Sequence, residues 1–167
     1  MSNAFVYRMP GGIAGDVTRR EHATIVPEIM DATTPATLYG VPVKLVSGKV
    51  QPIANADTLA TVAYGLLVRP FPGQVATSEA VGAGTPSIVQ PADILKRGYM
   101  TVVCNLGTPA KNGIVYVRKT AHSSDPTSYP IGGIEAAADS AKCEALPGGF
   151  FVGTADADGN VEIAYNI

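Results

Sequence analysis

One almost unbroken apolar run, Leu59–Gln74 (Leu-Ala-Thr-Val-Ala-Tyr-Gly-Leu-Leu-Val-Arg-Pro-Phe-Pro-Gly-Gln), constrains this chain more than any other stretch. In extended form Val62, Tyr64, Leu66 and Val68 share one face and Ala63, Gly65 and Leu67 the other, so both faces need cover. The run is short, holds β-branched and aromatic residues and has a glycine at its middle. It ends at Pro70 and Pro72, which cannot donate ladder hydrogen bonds. These features predict a central strand rather than a helix. The segments on either side are shorter and more often cut by Gly and Pro, and are predicted to wrap around it.

The 167 residues show no break in composition, which predicts an extended N-terminal arm over residues 1–24 and a single β domain over 25–167. With 18 Gly and 13 Pro and no sustained helical period, the chain must turn often. The predicted class is all-β, with at most one short helix. Only 16% of residues are charged against 46% hydrophobic, so surface is expected to be reserved for contact with other protein. Residues 1–120 carry eleven Lys and Arg against seven Asp and Glu, whereas residues 121–167 carry Lys142 against seven acids. That segregation can orient a protein on a charged partner unless folding mixes the two parts.

Along the chain, Phe5–Arg20 has glycines at 11, 12 and 15 and reads as an arm anchored by Arg8, Arg19 and Arg20. Residues 23–30 and 41–46 read as strands, with Ser47-Gly-Lys reversing the second into Val50. The Ala/Gly/Ser/Thr-rich segment from Gln74 to Pro86 reads as a loop. Gln90–Gly98 carries the end groups of a short helix, with Pro91 near its start, Lys96 and Arg97 in its last turn and Gly98 after it. Tyr99–Cys104 and Ile114–Arg118, separated by the Asn112-Gly113 turn, are expected to pair. Gly133–Leu146 is read as two strand pieces around an Ala-Asp-Ser turn, and Val161–Ile167 as a half-buried final strand.

Chemistry-bearing motifs are few. Gly-Gly-x-x-Gly-Asp at 11–16 lacks the strand and helix context and the Lys-Ser/Thr of a phosphate loop. Asp156-x-Asp-Gly-Asn160 lacks the sixth-position glycine and distal glutamate of a calcium loop and is better explained as a hairpin turn. Cys104 and Cys143 read as free, reduced thiols of a cytosolic product with neither secretory signal nor apolar anchor. His22 and His122 lie in no nucleophile–base motif. Arg19-Arg20 and Lys96-Arg97 are too small a basic patch for nucleic acid in an acidic chain without tryptophan. No catalytic residue, cofactor or metal is expected.

Seven segments in this order and spacing resemble the cement, or head-decoration, proteins of tailed bacteriophages: Met9–Arg19, Tyr39–Val43, Tyr64–Pro72, Leu95–Met100, Gly113–Arg118, Pro130–Gly133 and Gly153–Ile167. Residues 75–92 and 121–129 match only as variable loops. The resemblance implies a β-rich structural protein, jelly-roll or barrel-like, on the outer surface of a mature capsid, made in the host cytoplasm. It would bind the major capsid protein and itself, as a trimer rather than a dimer, with no nucleic-acid or membrane partner. Arg8, Arg19, Arg20, Arg69 and Phe71 are the expected capsid or intersubunit contacts. The rival readings are a virion-displayed adhesion module stacking glycans on Tyr39, Phe71 and Tyr129, a neck or tail adaptor, and a small hydrolase using His122.

Overall fold

The computed structural model describes residues 12–55, 57–70, 84–88 and 90–167. Their strands are β1 (Thr24–Met30), β2 (Pro42–Val46), β3 (Lys49–Pro52), β4 (Gly65–Leu67), β5 (Pro91–Leu106), β6 (Ile114–Arg118), β7 (Ile134–Glu135), β8 (Cys143–Phe151) and β9 (Asn160–Tyr165). One helical turn, α1 (Leu59–Val62), and two 3-10 turns at Arg20–His22 and Ser140–Lys142 accompany them.

The pairings close into two rings that share β5. In the first, β1 pairs with β3, β3 with β2, β2 with β4, β4 with β5 and β5 again with β1. In the second, β5 pairs with β7, β7 with β6, β6 with β8, β8 with β9 and β9 again with β5. Each ring contains one parallel contact, β1 with β3 and β5 with β7. Each strand is thereby paired on both edges over part of its length, which shortens the rows of backbone donors open to another chain. The all-β expectation holds, and the pairings follow its barrel-like alternative.

β5 serves both rings because it is bent. Asp93 O accepts from Val68 N, Gly15 O accepts from Arg69 N, and Gly15 N donates to Thr101 O, at 2.8, 2.9 and 2.8 Å. This chain of bonds holds the carbonyls of residues 93 and 101 within about 16 Å, where eight residues of straight strand span about 26 Å. Gly98 lies between them with φ +140°, and a Cβ there would meet Ala23 Cα at 3.1 Å and Leu95 Cδ1 at 3.2 Å. A glycine is what this corner requires.

Alternation along β4 and the first half of β5 makes a wall between two cores. Leu67 and Ile94, cross-strand partners, face inward with Met30, Val43, Val50 and Ala92. Leu66 and Leu95, the adjacent pair, face the opposite way into the core of the second ring, with Met100, Val102, Val117, Phe151 and Ile163. The expectation that Leu66–Val68 is buried on both faces is therefore met, at 0%, 1% and 7% exposure. Fully burying each such side chain contributes about 1.5–3 kcal/mol.

Three sequence expectations are corrected. Leu59–Val62 is not strand but α1, because Val62 N and Ala63 N donate to the carbonyls of Thr58 and Leu59 while Leu59 plugs the larger core. Pro91–Gly98 is not a helix. Its end-group signals are outweighed by pairing with β1 on one side and β4 on the other, and proline is tolerated as the first strand residue. Tyr99–Cys104 and Ile114–Arg118 do not pair with each other, since β7 lies between β5 and β6. The strands at 23–30 and 41–46, the reversal at Ser47-Gly48 (φ +50° and +77°), the two pieces within 133–146 and the last strand are present as expected. The predicted 74–86 loop lies largely outside the described residues.

Candidate functional site

The arm-side residues sit along the middle of β5. Thr101 N donates to Asp16 O (2.9 Å) and Thr18 N to Tyr99 O (3.1 Å), with Val17 bridged to Met100. Gly15, φ +91°, is wedged where a Cβ would lie 2.7 Å from Tyr39 Cβ and 2.9 Å from Arg69 N, so no other residue fits without displacing backbone.

Arg69 and Arg19 hold this segment down from its two ends. Arg69 Nε donates to Ala14 O at 2.9 Å, and its guanidinium lies 4.4 Å from the centre of the Tyr39 ring. Arg19 binds Glu162 through Nη2 at 2.8 Å and Nε at 3.2 Å and stacks 3.9 Å over Tyr99, while Thr18 Oγ1 donates to the same carboxylate at 2.5 Å. Hydrogen bonding by Glu162 raises the Arg19 pKa above its ordinary value, so the guanidinium stays charged. Both arginines are thus spent on the fold. Arg20 is exposed on the 3-10 turn and makes no ion pair among the described residues. The expected contact residues Arg8 and Phe71 lie outside the described residues.

Sequence reasoning missed the most buried charges. On the outward face of the second ring, Arg118 Nε and Nη2 donate to Glu135 at 2.5 and 3.1 Å, and Nη2 also reaches Asp139 at 3.1 Å. Arg118 and Glu135 are both fully buried, and Cys143 Sγ donates to Glu135 at 3.0 Å. Burial, reinforced by Glu135, pushes the Cys143 thiol up to about 11, which makes it a poor nucleophile. Burial also pushes the half-buried Cys104 thiol up. The partners are 17 residues apart, and only the β6–β7 pairing brings them together.

The other motifs resolve into turns. Asp156 Oδ1 accepts from the N–H groups of Asp158 (3.0 Å) and Asn160 (2.8 Å), so this carboxylate organises the hairpin as the turn reading expected. His122 Nδ1 accepts from Asp125 N at 3.1 Å with Ser124 Oγ at 3.4 Å, while the Asp125 carboxylate accepts from Ser128 N instead of orienting the ring. This is a local loop arrangement, not the nucleophile–base–orienter chain of a hydrolase. The Tyr39 face is taken by Arg69, and the Tyr129 ring packs 4.7 Å from His122.

Folding also largely erases the charge segregation. Arg19, Arg118 and Lys119 pair with Glu162, Glu135 and Asp139, and Glu144, so three cations from the first 120 residues are shared among four of the seven C-terminal acids. Among the described residues, part of what remains open is apolar. β1 points Val26, Glu28 and Met30 inward, beside Ile94, Ala92 and Val50, and Ile25, Pro27 and Ile29 outward. Ile25 is 40% and Ile29 66% exposed. A cavity of about 310 Å³ lies near the arm clasp, lined by Tyr39, Arg69, Val103, Asn105, Thr127 and Ile134 among others. Arg69 and Asn105 are already hydrogen-bonded to Ala14 and Ser128 carbonyls there.

Three comparisons bear on this arrangement. A family model described as XM1 gp53 minor capsid protein matches residues 1–165. The fold is similar to a chain in the solved capsid of Myoviridae phage XM1, with a TM-score of 0.67 at 18% identity over 98% of this chain and 96% of that one. No curated protein matches the sequence.

Proposed function

Because this chain belongs to the XM1 gp53 minor capsid protein family, a structural component of a phage capsid, we propose that it acts as a cement protein. In this reading it binds the outer surface of the mature shell as a small homo-oligomer, a trimer, and ties neighbouring capsomers together. The observation that carries the reading is the family match across both rings, residues 1–165. The chemistry of the fold supports it: buried Arg118, Glu135 and Cys143 are committed to one another, with the half-buried Asp139 capping Arg118.

The mechanism is mass action. A protein that binds the expanded lattice and not its precursor stabilises the expanded form by its binding free energy, and an oligomer spanning several capsomers multiplies that effect through effective concentration. Closed rings and a tied-down arm segment suit the task, because a body that is ordered before binding loses little entropy on docking. The adhesion reading loses its stacking surface at Tyr39 and Tyr129, whose rings are occupied by Arg69 and His122.

The test is co-sedimentation of the purified protein with mature and with unexpanded shells, alongside the melting temperature of the shell. Saturable binding to mature shells with a raised melting temperature is the expected result. Binding to neither form contradicts a cement role and moves the protein to the neck or tail.

A further inference from the structure

We infer that the outward face of β1 and its neighbours in the first ring, the row Pro91, Ile29, Lys49 and Val46 with Pro27 and Ile25 above it, is the surface that meets the capsid shell. The inference rests on the capsid reading above and adds to it the side of the molecule that docks.

The register defines this face. Ile29 lies beside Pro91 on β5 and Lys49 on β3, and Lys49 beside Val46 on β2, so the four side chains form one row across four strands. The row behind it, Met30, Val50 and Leu45, points the other way, with Met30 and Val50 in the core. β1 therefore inverts the usual pattern of a surface strand. Its one acid, Glu28, faces inward and accepts from Tyr64 Oη at 2.5 Å, while its outward positions are Ile25, Pro27 and Ile29. Ile29 at 66% and Val46 at 40% exposure flank Lys49 in this row, Ile25 at 40% lies above it, and Leu45 at 38% is the neighbour of Val46 on the opposite face, whereas Ile114 belongs to the second ring.

Charge says what the occupant must offer. Below the row the polar groups are already paired within the chain, Gln51 with Asp31 at 2.8 Å and Lys44 with Asp57 at 2.7 Å. Lys49 makes no close ion pair among the described residues, although its charge acts on the Asp31 carboxylate. An apolar surface bearing a carboxylate opposite Lys49 completes this face, with the apolar centre and polar rim of a protein interface. Asp93, beside Pro27, lies on the same face, so a second copy docked here is the competing occupant that the test distinguishes. The family match supplies the shell as the partner surface.

The test compares wild type, I25E/I29E, K49E and I114E for co-sedimentation with expanded shells stripped of this protein, after equal folding is confirmed by circular dichroism. I114E alters an exposed residue of the second ring, 54% accessible. The expected result is loss of affinity by about tenfold or more for I25E/I29E, a smaller loss for K49E that shrinks at high salt, and none for I114E. Wild-type binding matched by I25E/I29E overturns the inference and leaves the cement role standing. Absence of wild-type binding overturns the cement role itself. A change in oligomeric state for I25E/I29E with shell binding retained assigns the face to copy–copy contact and likewise overturns the inference.

Discussion

The two rings are closed alike and finished differently. On the second ring the outward side chains Arg118 and Glu135 are fully buried, with Asp139 and Cys143 hydrogen-bonded to them, so the chain covers this part of its own outer face while Ile114, further along β6, stays open. On the first ring the outward side chains Ile25, Pro27 and Ile29 stand in the open beside Lys49, and no other segment among the described residues roofs them. Among the described residues, a charge pair is buried completely on one ring while apolar surface stays uncovered on the other. Burial in the isolated chain therefore accounts for the second ring, and burial against a partner for the first.

The comparison breaks most sharply at Glu135. Glu135→Ala leaves the fully buried Arg118 guanidinium uncompensated and is expected to cost about 3–5 kcal/mol in denaturant unfolding. The pair replaced by apolar residues, R118M/E135L, is expected to recover most of that loss, because cover rather than charge is what this face needs. A double variant as unstable as E135A contradicts that account.

The shared wall comes next. Leu66→Ala and Leu67→Ala remove adjacent side chains from different cores, and each is expected to cost about 2–5 kcal/mol. L66A should accelerate hydrogen exchange in the second ring's β6 and β9, and L67A in the first ring's β1 and β3. The same pattern from both variants denies that the cores are separate.

Acid sharpens the comparison further. Burial pulls the Asp57 carboxyl up, but hydrogen bonds from Lys44 and Ala54 outweigh it and hold the pKa below its ordinary value. Glu144 in the second ring is held low in the same way, burial being outweighed by Lys119 and by the N–H groups of Leu59 and Ala60. The folded state thus binds fewer protons than the unfolded one, and the contribution is present above about pH 4–5 and is lost as pH falls through the lowered values. Lys44→Met is expected to reduce the acid sensitivity contributed by the first ring by about 1 kcal/mol or less, measured as unfolding midpoints from pH 6 to pH 3. An unchanged pH profile in K44M excludes that pair as a source.

Arg20→Ala marks the low end. It is expected to change stability by less than about 0.5 kcal/mol, since the side chain is exposed and makes no ion pair among the described residues. Arg19→Ala, by contrast, releases Glu162 and the Tyr99 stack, so its effect on shell binding would be mixed with loosening of the arm segment. Of the two, R20A is the cleaner probe of arm contacts.

Strands with plain alternation and turn residues at their ends, such as Ile114–Arg118 after Asn112-Gly113 and Val161–Tyr165 after Asp158-Gly159, were legible because local pattern and final pairing agree. Pro91–Gly98 was not, because its proline, basic pair and glycine are also a helix's end groups, and what decides the segment is pairing on both edges by residues 24–29 and 66–67. β7 has two residues and exists through its neighbours alone. Arg19 and Arg69 were visible as cations, but their partners, Glu162 and the Ala14 carbonyl, are 143 and 55 residues away. The apolar letters of Thr24–Met30 were equally visible. Which of them face out follows from the register with β5, which sets Val26 beside Ile94 and leaves Ile25 and Ile29 on the other side.

The most direct test of the difference between the rings is thiol footprinting on the shell. Ile29→Cys and Ile114→Cys, each in a Cys104→Ser background with Cys143 left buried, are labelled with a water-soluble maleimide, free and bound to expanded shells. The account predicts that binding slows labelling at position 29 by about tenfold or more and leaves position 114 unchanged. Protection at position 114 with position 29 still freely labelled on the shell contradicts it.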